Sequence, residues 1–269
     1  MKGRTGAAMS VAVLALAAFG SACVPTAATR DPRSTAETTR VLPWTGGDRL
    51  GVEVGADVRY VPGADAQVTV TGPRDEVQDI VVDNGEIRRA HAYGWRWRWR
   101  REPYRRVRIV VRAPRLSAAS LGGSGRLDLG QLSQDEFDLV VSGSGRATAG
   151  GAINILHLVL SGSGGAEIEA LKAKTLDASL SGSGWMTVAG ACDALRLWIS
   201  GSGRADMSGL DVGDADAVLS GSGLATLAPR RSAHLQIAGS GGVRLTTDPT
   251  QLAVQRSGSG WVIRPNGAT

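Results

Sequence analysis

The chain has 269 residues, 42% of them hydrophobic but only 4% aromatic, with 37 glycines and a formal net charge of +5. That length allows one or two folded units, and the scarcity of rings calls for a core of Val, Leu, Ile and Ala. Glycine at about twice ordinary usage without a Gly-X-Y period excludes collagen, the regular apolar spacing excludes disorder, and no run of about 20 apolar residues exists to form a transmembrane helix.

Residues 1–22 read as an export signal. Lys2 and Arg4 precede an apolar stretch from Ala7 to Phe19, after which Gly20, Ser21 and Ala22 lead to Cys23. Small residues directly before a Cys resemble the lipobox of bacterial lipoproteins. The resemblance implies removal of the signal and attachment to a membrane through a lipid on Cys23; an ordinary signal cleaved after Ala28 is the alternative. Val24 carries no acidic retention signal, which by analogy favours the outer membrane, so the chain reads as an exported envelope protein, outer membrane-anchored or periplasmic. Residues 23–40, rich in Thr, Ala, Pro and Ser, read as the anchor and a flexible tether. With Cys23 consumed, Cys192 has no partner, so no intramolecular disulfide is expected and Cys192 reads as a small buried hydrophobe.

Residues 41–115 form a basic, β-rich head with the first rungs of the fold. Between Arg88 and Arg115 stand eleven arginines and one acid, Glu102, a local charge of +10 that leaves the rest of the chain at −5. Trp95-Arg96-Trp97-Arg98-Trp99-Arg100 alternates strictly, which on a strand separates indoles from guanidiniums. Tyr104 to Arg112 reads as its hairpin partner, with Val107, Ile109 and Val111 under the indoles. Two readings stand: a cap over the end of the fold with arginines protecting an edge, or an anion-binding face made of Arg96, Arg98, Arg100, Arg106 and Arg108, since guanidiniums hold phosphate and carboxylate bidentately. The anions available outside the cell are lipid phosphates and acidic glycans; no nucleic-acid-binding fold is present.

From residue 116 to 269 the chain repeats. Gly-Ser-Gly begins at Gly123, Gly143, Gly162, Gly182, Gly201, Gly221, Gly239 and Gly258, in steps of 18 to 20 residues. Two and four places before it stand apolar pairs such as Leu139 and Val141, Leu158 and Leu160, Leu197 and Ile199. Two and four places after it stand Leu127 and Leu129, Ala166 and Ile168, Met186 and Val188. Period two on both sides of a corner means two strands per repeat, with a shorter third side containing Gly150, Gly151, Gly190 and Gly209. Repeats of this size cannot bury their faces alone and stack as a right-handed parallel β-helix (solenoid) with rungs of about 20 residues. Corner serines are placed to form a column of hydroxyl hydrogen bonds. Five places before each triplet come Ala118, Asp138, His157, Asp177, Arg196, Asp216, His234 and Ala253. Stacked in register, these make a surface ladder of acids alternating with basic or protonatable groups, as parallel pairing favours.

The unit Leu158-Val159-Leu160-Ser161-Gly162-Ser163-Gly164 resembles the repeats of the GIN-domain family (DUF2807) of bacterial envelope proteins, auto-transporter adhesin heads. Gly51-Val52-Glu53-Val54, Val58-Arg59-Tyr60 and Val68-Thr69-Val70-Thr71-Gly72 resemble that family's opening strands, so the resemblance spans about 41–264. It implies the solenoid and a non-enzymatic adhesin or binding scaffold of the envelope. The residues themselves offer little for catalysis. No Ser has Gly at both −2 and +2, and three His and two Cys show no zinc spacing, so no catalytic residue, cofactor or metal site is assigned. His157, between Asp138 and Asp177, is the one candidate base or metal ligand, but no repeat is long enough to wall a groove around it. A polysaccharide-active enzyme and a purely structural envelope lipoprotein remain the alternatives. Oligomeric state is left open.

Overall fold

The inward positions that the repeat alignment selects are sealed: Leu139, Val141, Leu158, Leu160, Leu197, Ile199, Leu235 and Ile237 are all 2% exposed or less. A computed structural model describes residues 37–90, 107–265 and 267–268. The chain opens with β1 (Glu37–Pro43), β2 (Arg49–Val52), β3 (Asp57–Pro62), β4 (Gln67–Pro73), α1 (Arg74–Gln78), β5 (Ile80–Asp83), β6 (Glu86–Arg89), β7 (Arg108–Ala113) and β8 (Ala118–Leu121). Six long bent strands follow: β9 (Arg126–Gly143), β10 (Arg146–Gly162), β11 (Gly165–Gly182), β12 (Trp185–Gly201), β13 (Arg204–Gly221) and β14 (Leu224–Gly239). It closes with β15 (Gly242–Leu245), β16 (Gln251–Ser257), β17 (Trp261–Arg264) and β18 (Gly267–Ala268). Together they make a parallel β-solenoid of about eight turns.

Each rung has three sides. In the rung of β11, Ala166 and Ile168 point inward from the side after a triplet, Leu171 from the short third side, and Leu176, Ala178 and Leu180 from the side that runs up to the next triplet. Among the described residues, only Trp44, Tyr60 and Phe137 bring rings into the core; aliphatic side chains and alanines, with Met186, Met207 and Cys192, fill the rest. That composition suits a narrow interior in which every layer must fit the layer above and below.

The triplet corner is decided by backbone. The first Gly adopts φ between +109° and +118° at Gly143, Gly162, Gly182, Gly201, Gly221, Gly239 and Gly258, a region that side chains disfavour. The second Gly is set by space: a Cβ on Gly164 would lie 2.5 Å from the Gly145 carbonyl oxygen. The expected column of serine hydroxyls does not form among the described residues. The column runs instead through main chain, the Ser163 N–H donating to Gly143 O at 3.0 Å, Ser183 to Gly162 O at 3.0 Å and Ser202 to Gly182 O at 2.9 Å. An amide exists at every rung whatever the side chain, so the hydroxyl is free to face solvent.

At the N-terminal end the layers are not in chain order. β2 pairs in parallel with β6 on one edge and β8 on the other; β3 pairs in parallel with β7 and β9. The rung of β2 and β3 is therefore second in space, with the rung of β6 and β7 outside it. Antiparallel strands then end the stack. β4 takes the outer edge of β7 and β1 the outer edge of β4. β5 takes the outer edge of β6 through a turn at Asn84 and Gly85, whose φ values of 48° and 83° suit an Asn-Gly hairpin.

Two expectations are corrected here. Val107, Ile109 and Val111 are buried as predicted, but β3 and β4 occupy both edges of β7, so no edge remains for the expected hairpin partner. The Trp/Arg run itself lies outside the described residues, between β6 and β7 in the chain. The segment 23–40 read as anchor and tether is already strand from Glu37, paired to Pro73 of β4.

Gly182→Ala is expected to destabilise the fold by about 2–3 kcal/mol, because the left-handed backbone and the Gly162 carbonyl both oppose a Cβ. Gly63→Ala, where a Cβ meets nothing within 4 Å, serves as the control in urea unfolding.

Candidate functional site

The predicted surface ladder is present residue for residue. Ala118 pairs with Asp138, Asp138 with His157, His157 with Asp177, Asp177 with Arg196, Arg196 with Asp216, Asp216 with His234 and His234 with Ala253. Asp177 sits between His157 and Arg196, its carboxylate 3.4 Å from His157 Nδ1 and 3.4 Å from an Arg196 guanidinium nitrogen. His234 Nδ1 lies 3.8 Å from Asp216. Alternation of sign thus supports the register at the surface as apolar packing does inside.

On the side after the corner, Trp185 and Trp261 do not stand away from the rod. Each lies down over a glycine one rung back, Gly165 and Gly242, where an added Cβ would overlap the indole. The Arg146 guanidinium carbon sits 4.9 Å from the Trp185 ring centre, a cation–π contact. This side is a flattened surface with packed rings.

The third side carries a feature that sequence reading missed: a shallow groove of about 510 Å³ running across several rungs. It exists because small residues line up there. Ala173 and Cys192 face inward in register, and Ala152 and Ala191 flank Lys172 on either rung. Alanine on both neighbours leaves Lys172 without an ion-pair partner, and Lys174 has none either among the described residues. At the far end the cations are paired. Arg230 is bonded to Asp211, and Arg231 reaches across Gly213 to Asp214 at 2.7 Å and to the Asp193 carbonyl at 3.2 Å. The Arg231 and Ser232 hydrogen bonds hold the Asp214 carboxyl below the usual carboxylate range. Cys192, at the groove floor, is buried as expected, and burial followed by Asp193 and Asp211 pushes its thiol up to about 12. The one signal for the groove was Lys172-Ala173-Lys174, the two lysines of the repeat region, on a side with no motif to align.

Of the residues singled out for anion binding, Arg96, Arg98, Arg100 and Arg106 lie outside the described residues, as does Cys23. Arg108 is exposed on β7, but one guanidinium nitrogen already donates to both carboxylate oxygens of Glu37, at 3.1 and 3.2 Å. No helix among the described residues is long and apolar enough to cross a membrane.

A family model described as "Putative auto-transporter adhesin, head GIN domain" matches residues 48–249. The chain belongs to the GIN-domain family. No curated protein matches it. Among solved structures, this GIN domain is similar to a "putative lipid binding protein" of Parabacteroides distasonis, at 20% identity and TM-score 0.73, over 85% of this chain and 96% of that one. A "putative adhesin" of Parabacteroides merdae matches at 16% identity and TM-score 0.70, over 85% and 95%. Another "putative adhesin", of Bacteroides fragilis, matches at 18% identity and TM-score 0.57, over 86% and 97%. At these identities the likeness is one of fold.

Two outcomes follow from the groove. At pH 8 a thiol titrating near 12 is thiolate in about one molecule in ten thousand, so Cys192 is expected to resist alkylation in the folded chain and react on unfolding, as peptide mass spectrometry can map. Asp214, depressed in the fold, contributes stability above its unfolded value of about 3.9 that is lost as pH falls through the folded value. Asp214→Asn should therefore lower stability at pH 7, with the difference shrinking as pH falls through the folded value, as urea titrations over acid pH can show.

Proposed function

We propose that this GIN domain is a non-enzymatic, exported binding protein of the bacterial envelope, held to a membrane by lipid on Cys23 and displaying its solenoid sides as an adhesive platform. Its ligand is an extended anionic glycan, bearing carboxylate or phosphate, that lies along the third-side groove. The observation that carries this reading is the pair Lys172 and Lys174: two exposed ammonium groups with no ion pair among the described residues, beside a shallow floor of alanines. An open groove over stacked rungs suits a chain ligand rather than a compact one, because its length follows the repeat of about 4.8 Å per rung. The adhesin descriptions of the family and of two structural neighbours agree with a surface-binding role. Of the two carboxylates that line the groove, Asp193 and Asp211, the second is bonded to Arg230 and so is not poised as a base, which supports binding over turnover.

The test uses polygalacturonate as the carboxylated probe and the full chain as the binder. Tight binding that weakens with added salt is expected, and Lys172→Ser with Lys174→Ser should weaken it at least tenfold and flatten its salt dependence. Unchanged affinity in that double variant overturns the groove assignment. A parallel variant with Arg96, Arg98 and Arg100 changed to Ser then shows whether the Trp/Arg run holds the probe. Release of shorter oligosaccharides would replace the binding role with an enzymatic one.

A further inference from the structure

The ladder contains a cluster that alternation of charge does not explain. His157 is followed in register by Asp177 and preceded by Asp138, and a third carboxylate reaches it from the side. Glu136 lies two places before Asp138 on the same face of β9, and its Oε1 is 3.5 Å from His157 Nε2. One ligand atom from each of Glu136, Asp138 and His157 falls within 4.8 Å of the other two. Three carboxylates around a single imidazole exceed what a surface ion pair needs.

We propose that Glu136, Asp138 and His157 form a binding site for a borderline divalent transition-metal ion, of which Zn2+ is the type. Bonds of about 2.0–2.1 Å place tetrahedral donors about 3.3–3.4 Å apart, close to the separation already present between Glu136 and His157. An imidazole donor selects against Ca2+ and Mg2+, which take oxygen ligands. The two ring nitrogens have separate tasks. Nδ1 faces Asp177 at 3.4 Å, which favours keeping the proton on that nitrogen and leaves the Nε2 lone pair on the side of Glu136. Asp177 is held in turn by Arg196 at 3.4 Å, completing the outer carboxylate support that metal-bound histidines commonly have. Three protein donors leave a fourth position for water or for an oxygen of a bound molecule.

The fold supplies its own comparison. Asp214, Asp216 and His234 repeat the pattern four rungs on, an acid at each of the same two positions with the His on the following rung. There Asp214 is taken by Arg231 and Ser232, and the rung beyond His234 offers Ala253 rather than a carboxylate. In sequence the two clusters share two acids and a His at the same repeat positions and differ in the next ladder residue, Asp177 against Ala253. The structure leaves only the first with its donors free to converge.

Isothermal titration of the full chain, stripped of metal, with Zn2+ alone tests the site. One equivalent bound at micromolar or tighter affinity is expected, with E136Q, D138N and H157A each weakening it tenfold or more. D177N, which removes only outer support, should cost about 10–100-fold, while H234A leaves binding unchanged. Zinc binding no tighter than millimolar, or binding that H157A leaves intact, overturns the proposal. All five altered side chains lie on the outer surface of the sheet, and thermal melts of the metal-free variants are expected to overlay that of the unaltered chain, which separates loss of ligand from loss of fold.

Discussion

Parallel hydrogen bonding between rungs, in one register, places every side chain against its own counterpart one turn away. Everything else in this protein answers to that constraint. A residue tolerable alone is repeated or opposed every rung, so like charges must alternate with opposite ones, as from Asp138 to His234, and bulky rings must find a gap, as Trp185 finds over Gly165. The corner sets the register. A glycine at φ near +115° turns the chain, and its carbonyl accepts the amide of the next turn, so the spacing is fixed by main chain.

Where that constraint is strong, the fold was legible. The period, the inward pairs and the charged ladder all follow from Gly-Ser-Gly, because a motif that cannot shift also fixes the residues five places before it. The legible part ended where the motif did. β2, β3, β6 and β7 carry no triplet, and the alternation in Val107, Ile109 and Val111 showed which face is buried without showing which strands flank it. Layer order is a property of pairing between distant segments, on which period-two patterning is silent.

The sites show the same division. His157, Asp138 and Asp177 could be placed together because they share one position in the repeat. Glu136 belongs to a different position, and its approach to His157 depends on side-chain direction across a rung rather than on spacing along the chain. The groove was harder still. Repeat lengths vary between 18 and 20 residues, and the register shifts fall around the third side, for example between Ile168 and Leu171 of β11. Small residues accumulate where the chain absorbs those differences, so the most variable side of each rung is also the side able to open a groove.

The displaced order of the first layers bears on how the chain acquires its structure. The strands β2 and β3 are made before either of their neighbours, since the rung outside them ends at Ala113 and the rung inside begins at Ala118. A chain synthesised from its N-terminus thus holds two apolar strands that gain their first paired edge only when β6 and β7 follow and their second when β8 and β9 do, about halfway along the sequence. Once β8 and β9 close over them, each later rung meets a finished template and can add locally, one turn at a time. Nucleation and growth are therefore divided along the chain, with the costly long-range step confined to the end that has no Gly-Ser-Gly corners.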